Sequence, residues 1–486
     1  MKNNLLKNYI YNICIVFTTI LFPILFFPYS SRVLTPYYYG KYNFALSIVS
    51  YFVTIANLGI PTYGIRELTK SKIDGKENFK KSFTEIFLIS IFSSISSFIL
   101  LLIIIFFFDK LREEVILLLI IGMTVLFSFS TLDYFFIATE NHKRRTIRLL
   151  IVRVISLIFL FTLVKEPKDY LKFAMVMTLP EIIAKIVDFI TVRNYLFFDI
   201  RRLNLKKHLK PLIIIFFYVI STNVYLNLDS TMLGILKGDN EVGYYSVAVK
   251  MTKIFIPLIT SLGLVLAPRM IEKIKNKDKE NLFKDMDLYL NFIFFMTLPI
   301  VSLVFILSDN IVLIFSGEKY INSILTMRIM LPIITFISIS GFSAAQILIP
   351  SDKEDIVFKV SLIGLISNFL LNFLLIPKYG ILGAGIATLI SEFLVCIFRF
   401  LGVKKLYSEY KMFTRERINY IFAFLIPFLI CGVLKKMELI KNIYMEFILI
   451  SIIYGIIYLI ILLIKREYFI ILGTKKLKNI LERKNV

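Results

Sequence analysis

Stretches such as "FILLLIIIFFF", ending at Phe108, recur along the whole chain. Apolar runs of about 20 residues match the hydrocarbon thickness of a bilayer, and no soluble core needs them so often. Backbone in lipid must satisfy its own N–H and C=O groups, so the spans are helices. The pattern predicts an all-α polytopic membrane protein with about fourteen spans, near 8–31, 42–62, 83–108, 115–138, 147–164, 170–192, 211–236, 243–267, 286–308, 322–349, 356–376, 379–401, 418–434 and 443–464. The N-terminal run lacks a small-residue cleavage site and is expected to be the first span rather than a signal peptide.

Charge gives a separate test of that count. The chain carries 57 Lys+Arg against 34 Asp+Glu, a net +23 that in a soluble protein would suggest nucleic acid. Here the cations sit in alternate loops, about three inside for each one outside if both termini are cytoplasmic. The excess is therefore expected to report topology, and no nucleic-acid partner is expected. Cys14, Cys396 and Cys431 lack metal-type spacing, and His142 and His208 fall in basic loops, so neither a metal centre nor a histidine-based catalytic site is expected. With no Trp in the chain, its 26 tyrosines have to supply the interfacial aromatic belt.

A faint repeat is visible. Gly40, Tyr42, Ala45 and Phe52 align without gaps with Gly243, Tyr245, Ala248 and Phe255. The offset covers an even number of spans, which implies parallel repeats. The expected organisation is an N-terminal six-helix bundle (1–205), a second bundle (206–403) and two further helices with a basic cytoplasmic tail (404–486), the bundles facing a central cavity.

Charges at membrane depth are the candidate functional residues, because they are costly there unless they face protein or water. In "NLDSTMLGILKGDNEVGYYSVAVKMTKIFIPL", Asp229 and Lys250 lie roughly 10 Å deep and Lys253 roughly 15 Å deep at about 1.5 Å per residue. Asp229 and Lys250 could pair across a helical hairpin, which leaves Lys253 as the first candidate anion ligand. Arg66 is expected at the interface and Arg328 near the outer end of span ten. Glu181, Lys185 and Asp188 are spaced to neutralise one another on span six, Arg148 and Arg153 to snorkel from span five or meet cytoplasmic headgroups, and Asp133 and Glu392 to pack against polar neighbours or, alternatively, to carry a proton or cation. Pro23, Pro28, Pro257 and Pro299 should bend their spans, and "GILGAG" should permit close helix packing.

The ordered set "SSRVLTPYYYGKYNFA", "LGIPTYGIREL", "YLNLDSTMLGILKGDNEVGYYSVAVKM" and "LNFLLIPKYGILGAGIATLISEF" resembles Wzx-type polysaccharide flippases of the multidrug/oligosaccharidyl-lipid/polysaccharide exporter superfamily. The resemblance implies a MATE- or lipid II flippase-like fold. It also implies movement of undecaprenyl-pyrophosphate-linked oligosaccharides from inner to outer leaflet by alternating access, alongside a polysaccharide polymerase and chain-length machinery. By the same resemblance Arg32 is a candidate for the phosphate, whereas Tyr38 stands where lipid II flippases carry a second arginine. No cofactor is expected. No Walker motif occurs, so membrane potential or an ion gradient would drive transport. Two alternatives remain: a MATE-like exporter of organic cations, disfavoured by a span one without acidic residues, and a membrane polysaccharide polymerase or ligase, disfavoured by short outer loops.

Overall fold

The computed structural model describes the backbone of residues 2–465, 467 and 469, apart from 198 and 413. Side chains are described from Leu21 onward together with Thr18, apart from 200 and 264. The tail segment "KKLKNILERK" and the Cys14 side chain lie outside the described residues. Among the described residues there is no strand.

In chain order the helices are α1 (Lys2–Asn57), α2 (Ile60–Ile73), α3 (Lys76–Phe107), α4 (Asp109–Arg112), α5 (Val115–Leu126), α6 (Asp133–Ala138), α7 (His142–Leu163), α8 (Tyr170–Val192), α9 (Lys206–Lys237) and α10 (Asp239–Lys253). They continue as α11 (Ile256–Lys275), α12 (Lys279–Ile306), α13 (Ser308–Phe315), α14 (Ser323–Met330), α15 (Ile333–Phe342), α16 (Glu354–Tyr379), α17 (Ile381–Leu406), α18 (Arg415–Lys436) and α19 (Ile443–Ile464).

Twelve helical stretches among the described residues are long and apolar enough to cross a membrane. The first, Leu21–Ile73, joins two expected spans through a kink in α1 at Thr35, whose φ of 62° breaks the helix just before Pro36. The expected sixth span is α8, 23 residues long, which carries Glu181, Lys185 and Asp188 within its length. Pro257 departs from the expected bend. It sits in the first turn of α11, where a missing N–H costs nothing, and the chain breaks at the turn that precedes it. Pro299 lies inside α12 as expected.

The chain forms two compact units, residues 1–246 with 369–384, and 247–368 with 385–486. The first contains α1 to α9, the start of α10, the end of α16 and the first turn of α17. Within it α1 packs on α3, α5, α7 and α9, and α2, α3 and α6 enclose an aromatic core that includes Phe79, Phe83, Phe87 and Phe135. Close approach of α9 to α1 depends on Gly234, where a Cβ would lie 2.1 Å from the Phe44 ring. The "GILGAG" turn has Gly380 at a φ of 55° and Gly383 against the Leu375 carbonyl, 2.4 Å from where a Cβ would stand, so the motif serves backbone packing. The second unit is built from α11 on α12 and from α12, α18 and α19 on one another.

Candidate functional site

Within the first unit, Ser47, Ser50 and Tyr51 share one face of the second half of α1, and Asn223, Asn227 and Thr231 share one face of α9. The two rows meet. Ser50 Oγ donates to Asn223 Oδ1 at 3.2 Å, Tyr51 OH lies 2.9 Å from Thr231 Oγ1, and that oxygen lies 3.0 Å from Ser47 Oγ. Ser47 is buried and the other five are half-buried. Polar atoms at this depth would be costly without partners, so the rows satisfy one another. Ser47 and Thr231 also donate to the Phe44 and Asn227 carbonyls of their own helices, so the hydroxyl protons are engaged and what this polar seam offers a sugar hydroxyl is mainly acceptor lone pairs.

The other face of α9 carries Asp229, which is 6% exposed. Its carboxylate accepts from Tyr245 OH on α10, and its Oδ1 accepts from Asn372 Nδ2 on α16 at 2.6 Å. Asp229 thus ties three helices of the first unit together. Glu241 makes a further tie, accepting the backbone N–H of Ile381 at 3.0 Å and so capping α17.

The remaining candidates fall in different settings. Arg32 is exposed on α1 just before its kink, and Arg66 is exposed on α2 with its guanidinium 5.6 Å from the Tyr63 ring centre. In the second unit Lys250 and Lys253 occupy the last turn of α10, Lys250 exposed and Lys253 half-buried. Arg328 is engaged by its neighbours, donating to Ser308 Oγ at 2.5 Å and to Asp309 Oδ2 at 2.7 Å.

Three expectations for structural charges change. Lys185 pairs with Glu181 at 3.1 Å, but Asp188 turns to α7 and takes Arg144 at 3.3 Å together with Arg148. Arg148 also reaches Asp133 at 2.5 Å, and Arg145 lies 3.5 Å from the same carboxylate. Arg148 is therefore clamped between two aspartates instead of snorkelling, because α6 and α8 bring both carboxylates to its side of α7. Asp133 correspondingly belongs to an ion network.

Two buried clusters carry no simple sequence signal. Glu85 and His208 are fully buried, with Oε2 and Nε2 2.8 Å apart, while Lys207 reaches Oε2 at 2.7 Å, Asn204 N donates to Oε1 at 2.7 Å and Tyr63 OH lies 2.7 Å from Nδ1. This latch pins the α8–α9 connection to α3, and Thr84 Oγ1, accepting Phe197 N at 2.7 Å, adds to it. Arg417, also fully buried, holds Asp287, Asn291 Oδ1 at 2.9 Å and two carbonyls of the α17–α18 loop. Its only sequence hint is a cation opening an apolar run.

The fold is that of an all-helical polytopic membrane protein, and solved structures share it. A structure of the lipid II flippase MurJ in an inward closed conformation aligns with a TM-score of 0.67 at 18% identity, covering 93% of this chain and 99% of that one. An inward-facing multidrug resistance MATE family transporter aligns with a TM-score of 0.65 at 12% identity, covering 82% and 98%. The polysaccharide biosynthesis protein family model matches residues 5–274, more than half of the chain, and the chain belongs to that family; a MatE model also matches residues 215–374. Among its relatives, a Shigella dysenteriae protein named as an O-antigen transporter is 24% identical over 392 residues, 79% of this chain and 96% of that one. The Staphylococcus aureus capsular polysaccharide biosynthesis protein CapF is 26% identical over 175 residues, 35% of this chain and 44% of that one.

Proposed function

We propose that the protein carries an undecaprenyl-pyrophosphate-linked oligosaccharide from the cytoplasmic to the outer leaflet of the cytoplasmic membrane, by alternating access, for capsule, exopolysaccharide or O-antigen assembly. Family membership supports a role in polysaccharide biosynthesis, and the observation that carries the substrate class is the hydroxyl and amide seam of Ser47, Ser50, Tyr51, Asn223, Asn227 and Thr231. Sugars need such partners in hydrocarbon, whereas an organic cation would need carboxylates. Lys250 and Lys253, one helical turn apart, would serve as phosphate ligands, and Arg32 as a further anion contact. Asp229 would hold α9, α10 and α16 together, and Arg66 and Arg328 would be further candidate contacts for the substrate.

No bond is made or broken, so no nucleophile or general base is required. With the cell interior negative, each unit charge moved is worth about 2.3 kcal/mol per 100 mV. The potential would favour the inward-facing state of an empty cationic carrier, and bound pyrophosphate would neutralise it for the outward step.

Depletion in the native cell tests the reading. The expected result is loss of surface glycan with accumulation of lipid-linked repeat units in the inner leaflet. Single repeat units still reaching the cell surface would point to a polymerase, and unchanged glycan with a new sensitivity to cationic dyes would point to a drug exporter.

A further inference from the structure

A groove of about 940 Å³ runs between α7 and α8 along the surface of the first unit. Its walls are aliphatic and aromatic. Ile151, Ile155 and Phe159 line one side and Met175, Leu179 and Ile183 the other, each of them exposed. The small side chain of Ala184 and the helix-bending Pro180 keep the floor low. Ser156 Oγ donates to the Val176 carbonyl at 3.1 Å and fixes the two helices in register.

The groove differs at its two ends. One end opens between Lys143 and Arg144, where Arg144, Arg145 and Arg148 share the two carboxylates of Asp133 and Asp188, leaving excess positive charge before Lys143 is added. The opposite end runs out at Leu163 beside Lys172, whose charge is taken by Asp169 at 2.7 Å. From Arg144 to Leu163 the groove covers roughly 28 Å of helix. That is close to the full hydrocarbon thickness of about 30 Å, twice the reach of a phospholipid acyl chain confined to one leaflet.

We infer that this groove seats the polyprenyl chain of the lipid carrier, with its phosphate at Lys143 and Arg144. Charge favours an anionic head at one end only, and the groove is long enough for an isoprenoid that crosses both leaflets, which a single glycerophospholipid chain cannot fill. The inference rests on the transport function proposed above, since it names where the carrier's tail waits while its glycan is moved. The basic-loop end is the one that the charge pattern assigns to the cytoplasm, where the carrier is loaded.

The test uses a polyprenyl monophosphate with a photoactivatable group in its chain and no glycan, added to the full-length protein in zwitterionic nanodiscs. Cross-linked peptides should fall on α7 and α8, and unlabelled polyprenyl phosphate should displace the probe while an equal amount of phosphatidylglycerol does not. Ala184→Phe should lower labelling at least fivefold, and Ile158→Phe, outside the groove on the same helix, should leave it unchanged. Lys143→Gln should weaken competition by the phosphate about fivefold. Labelling spread evenly over the lipid-facing helices, equal displacement by phosphatidylglycerol, or indifference to Ala184→Phe would each overturn the inference. Because the assay measures neither glycan nor transport, such a result beside intact glycan flipping removes the groove alone, and groove labelling without flipping removes the transport reading alone.

Discussion

Gly40 and Gly243 pack reciprocally: a Cβ on Gly40 would stand 1.7 Å from the carbonyl oxygen of Asp239, and one on Gly243 would stand 2.0 Å from the carbonyl oxygen of Pro36. Each glycine meets the carbonyl that lies one helical turn before its counterpart, so the contact has local two-fold character. These are the two glycines that the sequence repeat aligns. Since backbone, not a movable side chain, occupies the space, Gly40→Ala or Gly243→Ala should push α1 and α10 apart at a cost of about 1–3 kcal/mol. Thermal unfolding followed by size-exclusion chromatography in detergent should show the loss for each variant; an unchanged profile for both would deny that the close approach matters.

Asp229 should be more than a generic polar residue, because Tyr245 and Asn372 both donate to it. Asp229→Asn removes the charge that strengthens those bonds and sets one amide against another. Hydrogen bonds to charged groups contribute about 1.5–3 kcal/mol, so a comparable loss of stability is expected. Asp229→Asn combined with Asn372→Asp restores a complementary pair and should recover a good part of it. Failure of that rescue would show that the position of the charge, and not the pairing, is what α9 requires.

Arg148 joins Asp133 and Asp188, the latter only 2% exposed. Removing one partner of a buried ion pair costs about 3–5 kcal/mol, and here Arg144 and Arg145 remain to soften the effect, so Arg148→Gln should cost about 2–3 kcal/mol. A double-mutant cycle with Asp188→Asn should give a coupling of at least about 1 kcal/mol. Additive effects would contradict the clamp.

Lys253 carries a prediction about function. Arg at this position keeps the charge and a phosphate-binding fork, whereas Gln keeps only polarity and length. Glycan export at matched expression should survive Lys253→Arg to within a few-fold and fall at least tenfold for Lys253→Gln. Equal export by the two variants would assign Lys253 to the scaffold.

Architecture was legible in the sequence because lipid imposes one rule on every span, and the rule leaves long apolar runs. The kink at Thr35 and the displaced role of Pro257 were not, since both depend on where a helix begins and not on which residues it contains. For the charges, spacing along one helix correctly paired Glu181 with Lys185 but misassigned Asp188, because nothing in a single helix shows that α7 presents Arg144 and Arg148 to it. His208 illustrates the same limit from the other side. Its basic neighbours suggest a solvated loop, yet Glu85 and Tyr63, each more than a hundred residues away, bury it completely. The polar seam carried no signal of its own, because Ser47 and Ser50 meet their partners on α9 only through the α1–α9 packing.

Movement of a lipid-linked glycan across a bilayer is measured directly with the purified protein in proteoliposomes. Polyprenyl-pyrophosphate oligosaccharide placed on one leaflet should become accessible to a membrane-impermeant glycan-modifying enzyme on the other side, faster than in protein-free vesicles, and faster again with an imposed inside-negative potential. A rate equal to that of empty vesicles at any potential would contradict the account.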